Sequence, residues 1–481
     1  MINASPPNAL QKDALGLGQV IFQSASNMAP GLSAVAGLTG VAAFAGPAMP
    51  LSLLLGLILA ALLVIPVVQY GHRLSSAGGY YTFVAHGAGP KTGLYTAWIY
   101  LMYETASLSG TVLFFGYLLP GLLNIDFGLH VSSWMWWPAS MLSAAFVWYM
   151  SYRGIRTSLG YAYVMGVIEL IVFVIVGMVL WGKFGSHGSA SLFTPSAAPH
   201  GWSSVMMGVV FAFLSFTGFG AAITLGEETR NPRRNIIIAI LVSVIGIGLF
   251  YVFIGYASVV AWGPSHMSSY ASSTIPFVTL TLQNMSRFWV WALTILTLNG
   301  SLACALAIHN AQVRMLYALG RDKLIIPGRF GASHPRYRTP HRAISLQSLI
   351  TIGIVTVVGL LFGPLEGFFF LGTIATLGAL LVHLFLNATV GNFFRRLRAI
   401  RWLWHYVVPG LGVIFILFPM YFTLFPAPAY PVNIAPYVVA LWLIAGLWML
   451  SRVSREHREK LTHIGRIDSL LSTPNTKDTT G

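Results

Sequence analysis

Apolar runs of about 18 or more uncharged residues recur along the chain, parted by short polar segments. A helix of that length crosses a hydrocarbon core roughly 30 Å thick. The pattern predicts twelve spans, at about 17–43, 49–70, 92–120, 134–151, 161–182, 203–226, 235–262, 288–319, 342–363, 367–391, 404–425 and 433–451. The runs are continuous rather than alternating, which predicts helices and not barrel strands. The expected fold class is an all-α polytopic membrane protein. Residues up to Asp13 are polar and lack an Arg/Lys-rich leader, so the start reads as a retained segment and not a cleavable signal.

Composition agrees. Hydrophobic residues make up 56% of the 481 positions and charged residues 8%, against about 25% charged in soluble domains. Soluble, disordered, fibrous and disulfide-stapled classes are excluded, the last because Cys304 is the only cysteine. The formal charge of +15 invites a nucleic-acid reading until the basic residues are sorted by loop. Alternate loops and the two ends collect 25 of the 27, and the opposite side keeps only Lys183 and Arg287. The positive-inside rule then puts both termini in the cytoplasm of a cell (plasma or inner) membrane. Topology explains the charge, and no nucleic-acid partner is expected. The expected organisation is a cytoplasmic segment 1–16, a core 17–402, two additional helices 403–451 and a basic tail 452–481. That tail reads as solvated or as lying on anionic lipid, with disorder in its last ten residues.

Two spans are interrupted at mid-depth. The first contains Ser24-Ala25-Ser26-Asn27-Met28-Ala29-Pro30-Gly31, and the sixth contains Ser215-Phe216-Thr217-Gly218-Phe219-Gly220. Proline removes a backbone donor, and glycine permits non-helical angles. Spans 1 and 6 stand five apart, so they occupy matching places in two five-helix halves. Because five is odd, the second half is inserted upside down. Such paired interruptions point to a transporter binding site. A broken helix exposes carbonyls at one end, suited to an ammonium or cation, and N–H groups at the other, suited to a carboxylate. Two breaks side by side form a receptor for a zwitterionic amino acid. Kinking and close packing are the plainer account of either break alone.

The sixth span runs on into Gly226-Glu227-Glu228-Thr229-Arg230-Asn231-Pro232-Arg233-Arg234. Two further segments matter: Ser76-Ala77-Gly78-Gly79-Tyr80-Tyr81-Thr82 through Gly89-Pro90, and Arg314-Met315-Leu316-Tyr317-Ala318-Leu319-Gly320-Arg321-Asp322 followed by His334-Pro335-Arg336-Tyr337-Arg338-Thr339-Pro340. In these three segments and their order, the chain resembles the amino acid–polyamine–organocation (APC) superfamily of secondary transporters over about residues 15–450. The resemblance implies ten core helices in a 5+5 inverted repeat with discontinuous helices 1 and 6, two extra helices, and alternating-access transport of amino acids or related amines. Relatives often carry an acid after the Gly-Phe of helix 6, where this chain has Gly220, and some carry a gating tryptophan where it has Leu214. Both departures favour a small or aliphatic pocket over an arginine/agmatine exchanger.

Substrate contacts are expected from Ser26, Asn27, Met28, Ala29 and Gly31 in span 1 and from Phe213, Leu214, Ser215, Phe216 and Gly218 in span 6. Ionisable groups inside spans are functional candidates. Glu169, in span 5, stands where proton-coupled relatives resemble it in carrying an ionisable residue, often lysine. A carboxyl surrounded by apolar helix can take up and release a proton as its surroundings change; a backbone-bonded, never-titrating carboxyl is the structural account. Glu104 in span 3 is a candidate for the substrate's amino group or a tie between helices. His309 reads as a wetted packing residue near a helix end, His383 is similar, and Glu366 sits at a watered edge. Glu227 and Glu228, with cytoplasmic arginines, form a candidate inner gate, and Phe216 with Phe213 and Phe219 a candidate lid.

Other classes lack their chemistry. There is no His-Glu-x-x-His helix or nucleophile–base set for an enzyme, no filter for a channel, and no Gly-x-x-x-x-Gly-Lys-Ser/Thr loop for an ATP-driven motor. The expectation is a gradient-driven importer of amino acids, coupled to protons, with no cofactor and no metal. An amine or polyamine importer, an exchanger, and sodium coupling through Ser301 and helix-1 carbonyls stand as alternatives.

Overall fold

The computed structural model describes residues 10–74, 76–127, 129–323, 325–425 and 430–456. Among them every regular element is helical: α1 (Leu17–Asn27), α2 (Pro30–Leu32), α3 (Leu38–Ala45), α4 (Met49–Gly71), α5 (Tyr80–Ala88), α6 (Pro90–Phe127), α7 (Trp136–Arg153), α8 (Ile155–Phe184) and α9 (Trp202–Phe216). The chain continues through α10 (Pro232–Trp262), α11 (Met267–Ser272), α12 (Pro276–Asn284), α13 (Arg287–Asp322), α14 (His341–Phe362), α15 (Pro364–Arg396), α16 (Val408–Leu424) and α17 (Ala435–Glu456). Prolines near the starts of α6, α10, α12 and α15 pre-set the helical φ where a missing N–H costs nothing.

Nine helical stretches among the described residues are long and apolar enough to cross a membrane. Of the twelve expected spans, the first two fall within one such stretch, Leu17–Gly71. Eight more match one stretch each. The fourth corresponds to α7, which is helical but not among the nine, and the sixth to a shorter apolar helix, Trp202–Phe213. Three helices lie where the hydropathy pattern predicts only loop: α5, α11 and α12. Both α11 and α12 pack on the continuation of span 1 (α3 and the π-helical segment Ser33–Gly37), so they cover that helix laterally. The tail from residue 457 and the first nine residues lie outside the described residues.

The site is positioned by a central group. α1 packs against α8, α10 and α13, while α6 packs along α13 and α15. α16 and α17 sit outside this group, with Ile414, Leu441 and Ile444 exposed. α17 is fastened to α6 by a reciprocal pair in which Trp98 and Trp442 stack at 4.4 Å and each indole N–H donates to the other's carbonyl at 2.9 Å.

Candidate functional site

Both sequence interruptions are real breaks. α1 stops at Asn27, and Ala29 adopts φ +49°, left-handed, before Pro30 restarts a helical turn. α9 stops at Phe216, Gly218 sits at φ +98°, and a 3-10 segment Phe219–Leu225 follows. Only glycine takes the latter angle without strain; a Cβ there would also collide with the Asn27 side chain. That collision places the two breaks in contact.

The free groups of the breaks are taken up by neighbours. The Met28 carbonyl accepts the Tyr251 hydroxyl at 2.6 Å and the Ser33 hydroxyl at 3.4 Å. The same Tyr251 hydroxyl lies 3.2 Å from the Ser215 carbonyl. The Asn27 carbonyl faces Cys304 Sγ at 3.6 Å, and the Ala222 N–H donates to Ser24 Oγ at 3.3 Å. Asn27 Nδ2 has no hydrogen-bond partner among the described residues.

α1 and α13 run in opposite senses with a steady register. Gln23 Nε2 donates to the Ala307 carbonyl at 2.8 Å, Asn27 faces Cys304 one turn on, and Gly31 and Gly300 share the Glu169 carboxyl a turn further. Glu169, 2% exposed on α8, is thus wedged between the restart of span 1 and the middle of α13. A Cβ on either glycine would overlap its carboxyl oxygens. The Gly31 backbone is its hydrogen-bonding neighbour, and Oε1 has no partner among the described residues. Asn299 is held by the Tyr161 hydroxyl, leaving its Nδ2 without a partner among those residues.

Glu104 is buried on α6 beside Tyr80, Tyr100 and Tyr103. Its neighbour Tyr80 packs edge-on to His383 at 5.4 Å, and Phe219 meets the same imidazole at 4.9 Å. His383 Nδ1 and Tyr100 Oη lack partners among the described residues. The expected lid aromatics divide: Phe219 faces His383, whereas the Phe216 ring lies against Tyr251 and the glycines of α4 and α10, Gly56 and Gly248. Phe213 is fully buried, and Ser26, Met28, Ala29 and Ser215 are buried as well. The Leu214 side chain lies outside the described residues.

Two expectations change. His309 is not a wetted residue: it is 1% exposed, with Ser151 Oγ at 3.0 Å from Nδ1 and Ser348 Oγ at 3.2 Å from Nε2, tying α13 to α7 and α14. Ser301 directs its hydroxyl at the Thr111 carbonyl of α6, 3.5 Å away, and not at span 1; Cys304 faces that break instead.

Below the breaks, the acidic pair separates. Glu228 takes Arg314 by a fork at 2.5 Å and 3.2 Å, with the two side chains only 1% and 2% exposed. Glu227 takes Arg321 at 2.7 Å and 3.1 Å, with 28% and 41% exposure. Glu227 also accepts the Ala77 N–H at 3.2 Å, and Tyr81 donates to Asp322 at 2.5 Å. Burial, reinforced by the Asp322 carboxylate, raises the Tyr81 phenol well above its ordinary pKa, so it stays a donor at neutral pH. The segment before α1 straps this cluster: Leu15 N–H donates to the Glu228 carbonyl and Arg230 N–H to the Leu15 carbonyl, both at 3.1 Å, while Leu10 is buried with Ala77 and Tyr317.

Sequence reasoning missed Tyr251, Gly300 and the strap. A polar interruption, Asn299-Gly300-Ser301, was present in span 8 as a signal; Tyr251 in an apolar run carried little.

A bundle of apolar helices in which two broken helices meet around buried polar groups defines a multi-pass membrane protein of the transporter class. The chain belongs to the amino acid permease family, whose model matches residues 19–457. It is similar to the low-affinity putrescine importer PlaP of Escherichia coli K12, 26% identical over 68% of this chain and 70% of that protein. It is also similar to the branched-chain amino acid permease BcaP of Bacillus subtilis, 24% identical over 87% and 89% respectively. A third relative is the glutamate/serine transporter AimA of B. subtilis, 23% identical over 64% and 59%. These relatives are transporters and not enzymes, and this chain is a transporter of the same family.

Proposed function

We propose that this protein is a secondary active importer of amino acids that works by alternating access and is coupled to protons. The observation that carries the reading is the meeting of the two breaks, where the carbonyls of Met28 and Ser215 share one hydroxyl. One O–H has one proton and the Ser33 hydroxyl serves only the Met28 carbonyl, so the Ser215 carbonyl can use a further donor, which a substrate ammonium supplies. At the restart of span 1 Pro30 has no N–H to give, so a substrate carboxylate there competes with Glu169 for the Gly31 N–H. Substrate contacts are assigned to Ser26, Asn27, Met28, Ala29, Gly31, Phe213, Leu214, Ser215, Phe216 and Gly218.

Glu169 is the coupling residue in this reading. Its position against Gly31 and Gly300 ties its protonation to the relative placement of α8, α13 and span 1. Glu227 and Glu228, with Arg321 and Arg314, form the inner gate, and Phe216 is a separate gating residue that caps the site as a lid from the helix-6 side. The remaining architecture follows the sequence reading: twelve spans, a 5+5 inverted repeat over 17–402, two added helices over 403–451, and both termini in the cytoplasm of the inner membrane.

A second reading, an amine or polyamine importer, is favoured by Glu104, a buried carboxyl beside tyrosines that forms no ion pair among the described residues, and by the likeness to a putrescine importer. Uptake into proteoliposomes under an inward proton gradient, with the twenty amino acids, putrescine and agmatine, tests both. Zwitterion uptake that collapses with a protonophore and needs no sodium supports the first. Uptake of amines alone supports the second. No accumulation without an internal counter-substrate overturns proton-driven import in favour of exchange.

A further inference from the structure

The basic end of the bundle contains one corner unlike the rest. α7 ends at Tyr152-Arg153, and the segment His334–His341 leads into α14 beside it. That segment is rigidly folded: His334 N–H donates to the Thr339 carbonyl, Arg338 N–H to the His334 carbonyl and His341 N–H to the Thr339 carbonyl, each at 2.8 Å. His334 Nδ1 accepts from the Arg336 and Tyr337 N–H groups at 3.2 and 3.3 Å. Thr339 ties it to α7 through the Tyr152 carbonyl, and Tyr152 packs on His334, Tyr337 and His341.

Two guanidinium groups converge on one ring of this scaffold. Arg153 lies 5.9 Å and Arg336 5.6 Å from the centre of Tyr337, with Arg153 also 5.8 Å from Tyr149. Neither arginine is ion-paired to a described carboxylate. Neither stretch of chain carries an acid of its own: none occurs between Asp126 and Glu169 or between Asp322 and Glu366. Arg338 and Arg342 add charge from the same segment. The positive-inside rule accounts for arginines at this face, but not for two exposed ones set over one ring, Arg153 from the end of α7 and Arg336 from the fixed segment. Immediately above, the flank of α7 and α14 is apolar and exposed: Trp148 38%, Tyr149 51%, Leu349 67% and Ile350 40%.

We propose that this corner binds an anionic phospholipid, with the headgroup phosphate between Arg153 and Arg336 and the acyl chains along Trp148, Leu349 and Ile350. An amphiphile with one negative head matches both the uncompensated charge and the apolar flank above it.

The test uses the full-length protein in mild detergent, titrated with phosphatidylglycerol or phosphatidylcholine and read by native mass spectrometry. Phosphatidylglycerol is expected to bind more tightly than phosphatidylcholine. R153Q/R336Q is expected to weaken phosphatidylglycerol about tenfold or more while leaving phosphatidylcholine unchanged; R395Q/R398Q, on another basic loop, is expected to change neither. Tyr337→Leu, which removes the shared ring, is the second variant and is expected to act in the same direction. Equal phosphatidylglycerol binding by wild type and R153Q/R336Q overturns the proposal, as does a wild type without preference for the anionic lipid. Displacement of the lipid by inorganic phosphate at comparable concentration also overturns it, by assigning the corner to a free anion.

Discussion

The Tyr251 hydroxyl on α10 lies 2.6 Å from the carbonyl of Met28 and 3.2 Å from that of Ser215, so one side chain spans the broken ends of two helices. It is buried and held edge-on by Phe216 at 5.5 Å. A clasp of this kind keeps both carbonyls at a fixed spacing, which the proposed ammonium site requires.

Tyr251→Phe keeps the ring and removes the clasp. The lost hydrogen bond is worth about 1 kcal/mol, so a roughly fivefold rise in KM is expected, with the fold intact. Uptake kinetics in proteoliposomes check it; an unchanged KM would show that the spacing is held by other contacts.

Gly300→Ala introduces a methyl into the Glu169 carboxyl. Overpacking of this sort costs about 1–3 kcal/mol, read as a lower melting temperature in detergent. Shortening the acid relieves it, so Gly300→Ala with Glu169→Ala is expected to be more stable than the sum of the two single changes implies. Strict additivity would mean that the glycine and the acid are not in contact.

Glu169→Gln keeps the shape and removes the exchangeable proton. Gradient-driven accumulation is expected to vanish, while exchange of internal for external substrate continues. Wild-type accumulation is expected to grow as the outside is made more acidic than the inside, and this dependence is expected to be flat in the variant. Full accumulation by Glu169→Gln at all pH values refutes the coupling role.

The two ion pairs, Glu228 with Arg314 and Glu227 with Arg321, are expected to differ sharply. Arg314→Gln leaves the Glu228 carboxylate buried without its partner, at a cost of about 3–5 kcal/mol. Arg321→Gln breaks a partly exposed pair worth about 0–1 kcal/mol. Chemical denaturation of the two variants checks this, and comparable losses would mean that exposure does not set the strength of these pairs.

Much of this protein was legible along the chain because a hydrocarbon core imposes a one-dimensional rule. Each crossing needs its own run of apolar residues, and each retained proline, glycine or carboxylate inside a run stands out. Hence the two breaks, Glu104, Glu169 and the acidic pair at 227–228 were all marked before any fold was known. Hydropathy could not reveal α5, α11 or α12, whose sequences are too short to cross a membrane and resemble loops until a neighbouring helix covers them.

What only the tertiary structure decided is which of these marked groups meet. The helix-1 register places Gly31 and Gly300 on Glu169 and turns Cys304, not Ser301, toward the break. It gives Glu228 a buried arginine and Glu227 an exposed one, although the acids are adjacent in sequence. Tyr251 and Met28, 223 residues apart, share a bond that no local pattern encodes. The physical reason is common to all of them. Burial of an apolar run is set by its own residues, whereas a hydrogen bond in the membrane interior depends on the rotation and depth of two helices, fixed only when the whole bundle packs.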